Sequence, residues 1–138
     1  MGIVSAMIIG LDLGTTSISA VLFDPERCVA PGSAECANDA GIAGLAEGCH
    51  EQCAASISAA ACGLVASLVQ QSGVLPERIE GLALTGQQHG LVVVDAGLNP
   101  LTNLITWRDQ RTATVPARLR QHVYAATLAA CCIPVMEA

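Results

Sequence analysis

Lysine is missing from this chain altogether and aromatic residues nearly so, with Phe23, Trp107 and Tyr124 alone among 138 residues. Without lysine, a triphosphate cannot be reached in the manner of a P-loop, so backbone amides and a metal would have to hold it. Six arginines face twelve acids, and the formal charge of −6 leaves no electrostatic footprint for nucleic acid. With so few aromatics, the core must be built from Ala, Val, Leu and Ile, with glycines allowing close approach. No apolar run reads as long enough to span a membrane. Met1–Leu11 lacks the basic start of a signal peptide and runs straight into Asp12, and Ala6 stands where myristoylation needs Ser or Thr. The seven cysteines are odd in number and lack framework spacing, which points to the reduced cytoplasm. Cys49-His50-x-x-Cys53 has no second pair at zinc spacing, and its cysteines read instead as part of a helix.

What the chain does have is concentrated between Ile8 and Asp24, I-I-G-L-D-L-G-T-T-S-I-S-A-V-L-F-D. Two apolar, β-branched-rich runs, Met7–Leu11 and Ile18–Phe23, flank a turn-like segment and predict a β-hairpin. A carboxylate, Asp12, sits at an apolar strand end, and Gly14, Thr15, Thr16 and Ser17 follow it. Glycine lets the backbone approach a ligand, and successive N–H groups in such a turn form a concave anion site. The hydroxyls add donors, and the carboxylate can hold Mg²⁺ directly or through its waters. The residues alone equally allow a tight hairpin whose Asp and Thr side chains satisfy their own backbone.

Beyond the hairpin, Cys28 to Ala37 returns as a third antiparallel strand, interrupted at Pro31-Gly32. A helix is expected from about Cys49 to Gln71, where Ile57, Ala61, Leu64, Val65 and Leu68 share one face, and Gly73 stops it. Arg78–Gly86 is a short strand, Leu91–Val94 an apolar one, and Leu104–Trp107 a brief extended piece. Arg108 opens a helix through about Leu128. This order is α/β. The tail Ala125–Ala138 ends without a cap or closing strand, so the chain reads as the incomplete N-terminal piece of something larger.

A second polar cluster, Thr85-Gly86-Gln87-Gln88-His89-Gly90, falls at the C-terminal end of a strand, the edge where open α/β sheets hold ligands. Gln and His together can hydrogen-bond several hydroxyls, as a polyol or sugar requires. A plain polar turn is the alternative, and Trp107 by itself could simply fill the core.

Taken in order, these segments resemble a known family. D-L-G-T-T-S after an apolar strand is similar to the first phosphate loop of the actin-like ATPase superfamily, and the whole Gly10–Asp24 stretch most resembles the opening of the FGGY carbohydrate kinases. G-Q-Q-H-G resembles the G-Q-M-H-G segment of the xylulokinase type, with Gln88 in place of methionine. The run L-I-T-W-R-D-Q-R resembles the family's W-x-D-x-R segment, closest to its sedoheptulokinase-like branch.

The resemblance implies a mixed-sheet, ribonuclease H-like ATPase domain with flanking helices. It implies ATP-dependent phosphorylation of a ketose, with Mg²⁺ at Asp12, phosphate at Gly14, Thr15, Thr16 and Ser17, and the sugar at Gln88, His89, Trp107 and Asp109. The general base and the adenosine site would lie in a second domain beyond this chain. The alternative is a non-catalytic fragment or pseudo-enzyme that binds a partner or forms a homodimer. An Hsp70- or actin-like ATPase would share the Asp12 loop but gives no reason for the two later segments.

Overall fold

A computed structural model describes residues 6–111 and 113. Strands β1 (Met7–Leu13), β2 (Ser17–Asp24) and β3 (Val29–Ala37) form an antiparallel meander. The two-residue strand β4 (Glu51–Gln52) and the 19-residue helix α1 (Ala54–Ser72) follow. After a 3₁₀ turn at Pro76–Arg78, β5 (Ile79–Gly86) pairs parallel to β1. The sheet order is β3-β2-β1-β5. A parallel pair needs a long crossover, and α1 lies within it. The last strand, β6 (Leu104–Ile105), joins β4 in a separate antiparallel ladder.

The core lies between one face of the sheet and α1. Ile9 and Leu11 of β1 and Ile18, Ala20 and Leu22 of β2 alternate onto that face and pack with Ile57, Ala61 and Leu68 of the helix. Small side chains bring the two layers close: a Cβ added to Gly32 would lie 3.2 Å from Leu68 Cδ1. Gly73 ends α1 in the left-handed region at φ 67°, as expected of a C-terminal glycine. The opposite face of the sheet is open and mixed in character, bordering a cavity of about 560 Å³ lined by Val21 and Ala83 as well as Asp12, Ser19, Glu35 and Thr85.

The structure departs from the expected elements in five places. Strand β3 runs unbroken through Pro31-Gly32, because it is an edge strand whose outer side needs no donor. The helix begins at Ala54, not Cys49: Glu51-Gln52 pair with β6, and Cys53 takes the N-cap position with extended backbone. The Cys53 thiol is drawn below its ordinary range by hydrogen bonding to the Ser56 side chain and amide.

Leu91–Val94 is no strand. It makes only single bridges, Leu91 with Ile105 and Val94 with Pro100. Helix α1 is by length and composition apolar enough to cross a membrane, contrary to the expectation that no run is long enough. Here it lays its apolar stripe on the sheet, as the core helix of a packed domain does. The helix expected from Arg108 is not formed at residues 108–111, where only turns and irregular backbone are seen, and the rest of its expected span lies outside the described residues, as does the tail from Ala125.

Candidate phosphate turn and sugar-side cluster

Strands β1 and β5 are parallel neighbours with Leu13 opposite Gly86, so the turn after each emerges at the same sheet edge. That brings Gly14–Ser17 beside Gln87–Gly90. Gly86 must be small here, since a Cβ would sit 3.1 Å from both Leu13 Cβ and Leu13 O.

The β1–β2 turn is anchored through four successive carbonyls. Leu13 O accepts from Gln87 N at 2.9 Å and Gly14 O from Asn38 Nδ2 at 2.8 Å. Thr15 O accepts from Gln52 Nε2 at 2.9 Å and Thr16 O from Asn38 N at 2.9 Å. A trans peptide directs its N–H opposite to its C=O. Tying down the carbonyls of residues 13–15 therefore turns the amides of Gly14, Thr15 and Thr16 away from the groups that bind them. Gln87 follows β5 and Asn38 follows β3, on opposite flanks of the sheet, so the amides of Gly14 and Thr15 face different ways. At Gly14 the chain itself closes the space, because a Cβ there would be 2.7 Å from Ser17 O.

Asp12 is exposed at the end of β1, paired with Thr85 across the parallel ladder and facing the open side of the sheet. No group of three His, Cys, Asp or Glu side chains converges as a metal cage among the described residues. A cation at Asp12 would rest on that one carboxylate, water and the ligand's own oxygens. Mg²⁺ characteristically binds in this way beside phosphates, so the donor set fits the ion.

Two of the expected groups meet directly: Trp107 Nε1 donates to Thr15 Oγ1 at 3.0 Å, and Thr15 Oγ1 donates to Gln87 Oε1 at 3.1 Å. Gln87 Nε2 in turn donates to Gln52 Oε1 at 2.8 Å. The Trp107 ring is about half exposed and carries the Arg108 guanidinium 5.3 Å from its centroid, a cation–π arrangement.

Asp109, expected at the sugar, is bonded to neighbouring groups of the domain. Its oxygens accept from Arg111 Nε at 2.9 and 3.0 Å and from the His50 amide at 2.8 Å. Arg111 also pairs with Glu51 at 2.8 Å, and Asn103 Nδ2 donates to the other oxygen of Glu51. The Arg111 side chain, aided by the His50 amide, holds the Asp109 carboxyl well below the usual carboxylate range. Hydrogen bonds from Asn103 and Arg111 lower Glu51, and these acids push Arg111 up. This cluster fixes the turn that carries Trp107.

Gln88 and His89 are exposed, and His89 is held in the left-handed region at φ 57°. His89 borders a cavity of about 430 Å³ with Leu13, Ile57, Gly86 and Leu104, while Trp107 does not line it. Thr16 is exposed and Ser17 half-buried at the start of β2. Sequence reasoning missed Asn38, Gln52 and Gln87 as anchors of the phosphate turn. Gln87 stood inside a quoted motif, but nothing in the spacing of Asn38 or Gln52 signals that they reach residues 14–16.

The chain matches the FGGY family of carbohydrate kinases, N-terminal domain, over residues 7–133. It is 36% identical over 118 residues to a glycerol kinase of Gloeobacter violaceus, covering 85% of this chain and 22% of that protein. It is 31% identical over 114 residues to a xylulose kinase of Bacillus subtilis, with 83% and 22% coverage. The structure superposes on xylulose kinase from Rhodospirillum rubrum with a TM-score of 0.77 at 26% identity, covering 88% of this chain and 24% of that one. The chain thus spans about a fifth of the length of the curated relatives it matches. On the strength of a family match across most of its residues, the chain belongs to the FGGY family of carbohydrate kinases and corresponds to part of their N-terminal domain.

Proposed function

We propose that this domain supplies the phosphate- and sugar-contacting side of an ATP-dependent carbohydrate kinase. One observation carries the reading: the β1–β2 turn and the Trp107 indole meet at a single hydroxyl, Thr15 Oγ1. A kinase must hold γ-phosphate and acceptor hydroxyl side by side, and its catalysis is largely positioning and charge stabilisation.

In this reading Gly14, Thr15, Thr16 and Ser17 receive phosphate oxygens through backbone amides and hydroxyls. Asp12 orients Mg²⁺ or its water shell, and the ion neutralises charge on the transferred group. Trp107 offers its face to the apolar side of the acceptor, and Gln88 and His89 offer hydrogen bonds to its hydroxyls. Asp109 contributes by holding the Trp107 turn in place. The general base and the adenosine site belong to sequence beyond these 138 residues, in a second domain, and the enzyme works in the cytoplasm.

The acceptor is a small polyhydroxylated molecule of the ketose or polyol class. Glycerol and xylulose kinases among the relatives support that class. The Thr106–Arg111 segment favours a seven-carbon ketose within it.

The test is a side-by-side assay of the full-length protein with glycerol, xylulose, gluconate and sedoheptulose. ATP-dependent phosphorylation of at least one is expected, and Asp12→Asn should abolish it by removing charge neutralisation at the phosphates. His89→Ala should raise the KM for the acceptor about two- to tenfold and leave that for ATP nearly unchanged, as loss of one net hydrogen bond from an exposed side chain predicts. Full activity of Asp12→Asn at saturating Mg²⁺ would overturn the assignment. Preference for xylulose over sedoheptulose would correct only the acceptor.

A further inference from the structure

Gln52 belongs to neither of the two segments that make up the site, yet its side chain is bonded to both. It is 2% exposed and sits in the two-residue strand β4. Its Nε2 donates to Thr15 O at 2.9 Å, and its Oε1 accepts from Gln87 Nε2 at 2.8 Å. Gln87 Oε1 accepts the Thr15 hydroxyl at 3.1 Å, which closes a ring of three hydrogen bonds all running in one direction. Bonds arranged head to tail polarise one another.

The ring commits the single proton of Thr15 Oγ1 to Gln87, so the hydroxyl turns a lone pair to the indole, which can only donate. The Trp107 N–H uses that lone pair at 3.0 Å. We propose that Gln52 is a positioning residue that sets the Thr15 hydroxyl and thereby locks Trp107 to the phosphate turn, so that the two halves of the site move as one. This rests on the kinase reading for its use. A phosphate oxygen that takes the Thr15 proton opens the ring at Gln87 and alters the acceptor that Trp107 sees, which gives the acceptor pocket a direct report of nucleotide occupancy.

Trp107 is the only tryptophan, so its indole N–H gives a single resonance in an amide-correlation NMR spectrum of the chain, readable without sugar or nucleotide. Gln52→Met keeps the side-chain length and removes both bonds. Gln52→Glu keeps the shape but places a carboxylate oxygen against Thr15 O. Both should shift the indole resonance and speed its exchange with water about fivefold, the effect of losing one net hydrogen bond.

Protonating the carboxylate introduced by Gln52→Glu restores a donor towards Thr15 O. Lowering the pH from 7 to 5 should therefore return Gln52→Glu, but not Gln52→Met, towards the parent spectrum. A side chain that merely filled space would show no such recovery. An unchanged indole signal in both folded variants, or a shift in Gln52→Glu that acid does not reverse, overturns the proposal. Should both fail to fold, Gln87→Glu at a half-buried position breaks the same ring and must show the same acid recovery or refute it. Failure of the kinase assay leaves this measurement intact, so the two readings fall separately.

Discussion

Gly14→Ala is the sharpest test of how the β1–β2 turn is built. The added Cβ would stand 2.7 Å from Ser17 O, a main-chain atom at the start of β2. Packed carbon and oxygen atoms do not approach so closely, and Ser17 cannot swing aside as a flexible side chain would. It is registered against Ala37, while Ile18 is held by Leu13. The turn must open by about half an ångström, a forced backbone shift of the kind that costs about 1–3 kcal/mol.

Opening also pulls Gly14 O and Thr15 O from Asn38 and Gln52, so the loss belongs in the upper part of that range. For a chain of this size it corresponds to a fall in Tm of about 6–15 °C. The assay is thermal unfolding followed by far-UV circular dichroism, with Gly41→Ala as control. A Cβ at Gly41 meets nothing within 4 Å, so that variant should stay within about 0.5 kcal/mol of the parent. If Gly14→Ala melts together with Gly41→Ala, the turn is not closed on itself and the account of its anchored carbonyls fails.

Two further perturbations have opposite signs. Gly63 lies exposed inside α1 with open space around its missing Cβ, so Gly63→Ala should raise stability by about 0.5–1 kcal/mol, measured by urea titration. The carboxyls of Asp109 and Glu51 titrate lower folded than unfolded, so their contribution is complete above the unfolded value of about 4 and disappears as pH falls through the lowered folded values. Tm should therefore drop below about pH 4, and less steeply in Arg111→Gln, which removes the main partner of Asp109. Equal acid slopes in parent and variant would count against the cluster.

The strands and helix that bury apolar side chains were legible because burial leaves a period. Ile9 and Leu11 alternate with polar or small neighbours, and Ile57, Ala61 and Leu68 recur at helical spacing. Leu91–Val94 is equally apolar but stays exposed or half-exposed among the described residues, and no neighbouring ladder takes it up. An apolar run without a partner strand is only a loop that happens to be greasy, and composition cannot tell the two apart. The site residues divide similarly. Asp12 and Gly14–Ser17 are contiguous, so their chemistry shows in a single stretch. The contact between Thr15 and Trp107 spans 92 positions and rests on the pairing of β6, just before Trp107, with β4.

Strand β4 shows why the remainder was out of reach. Glu51 and Gln52 are two polar residues just before an apolar helix, and as sequence they extend the helical pattern by one turn. Pairing with Leu104 and Ile105 pulls them out of it. Adjacent strand residues point to opposite sides. Glu51 thus reaches Arg111 and Asn103 behind the Trp107 turn, while Gln52 reaches Thr15 and Gln87 in front. Had the helix begun at Cys49, these two side chains would lie about 100° apart on its surface, and neither bridge could form as seen. The connection between the β1–β2 turn and the Trp107 segment therefore depends on two backbone pairings that no local propensity favours, formed only once β6 is in place.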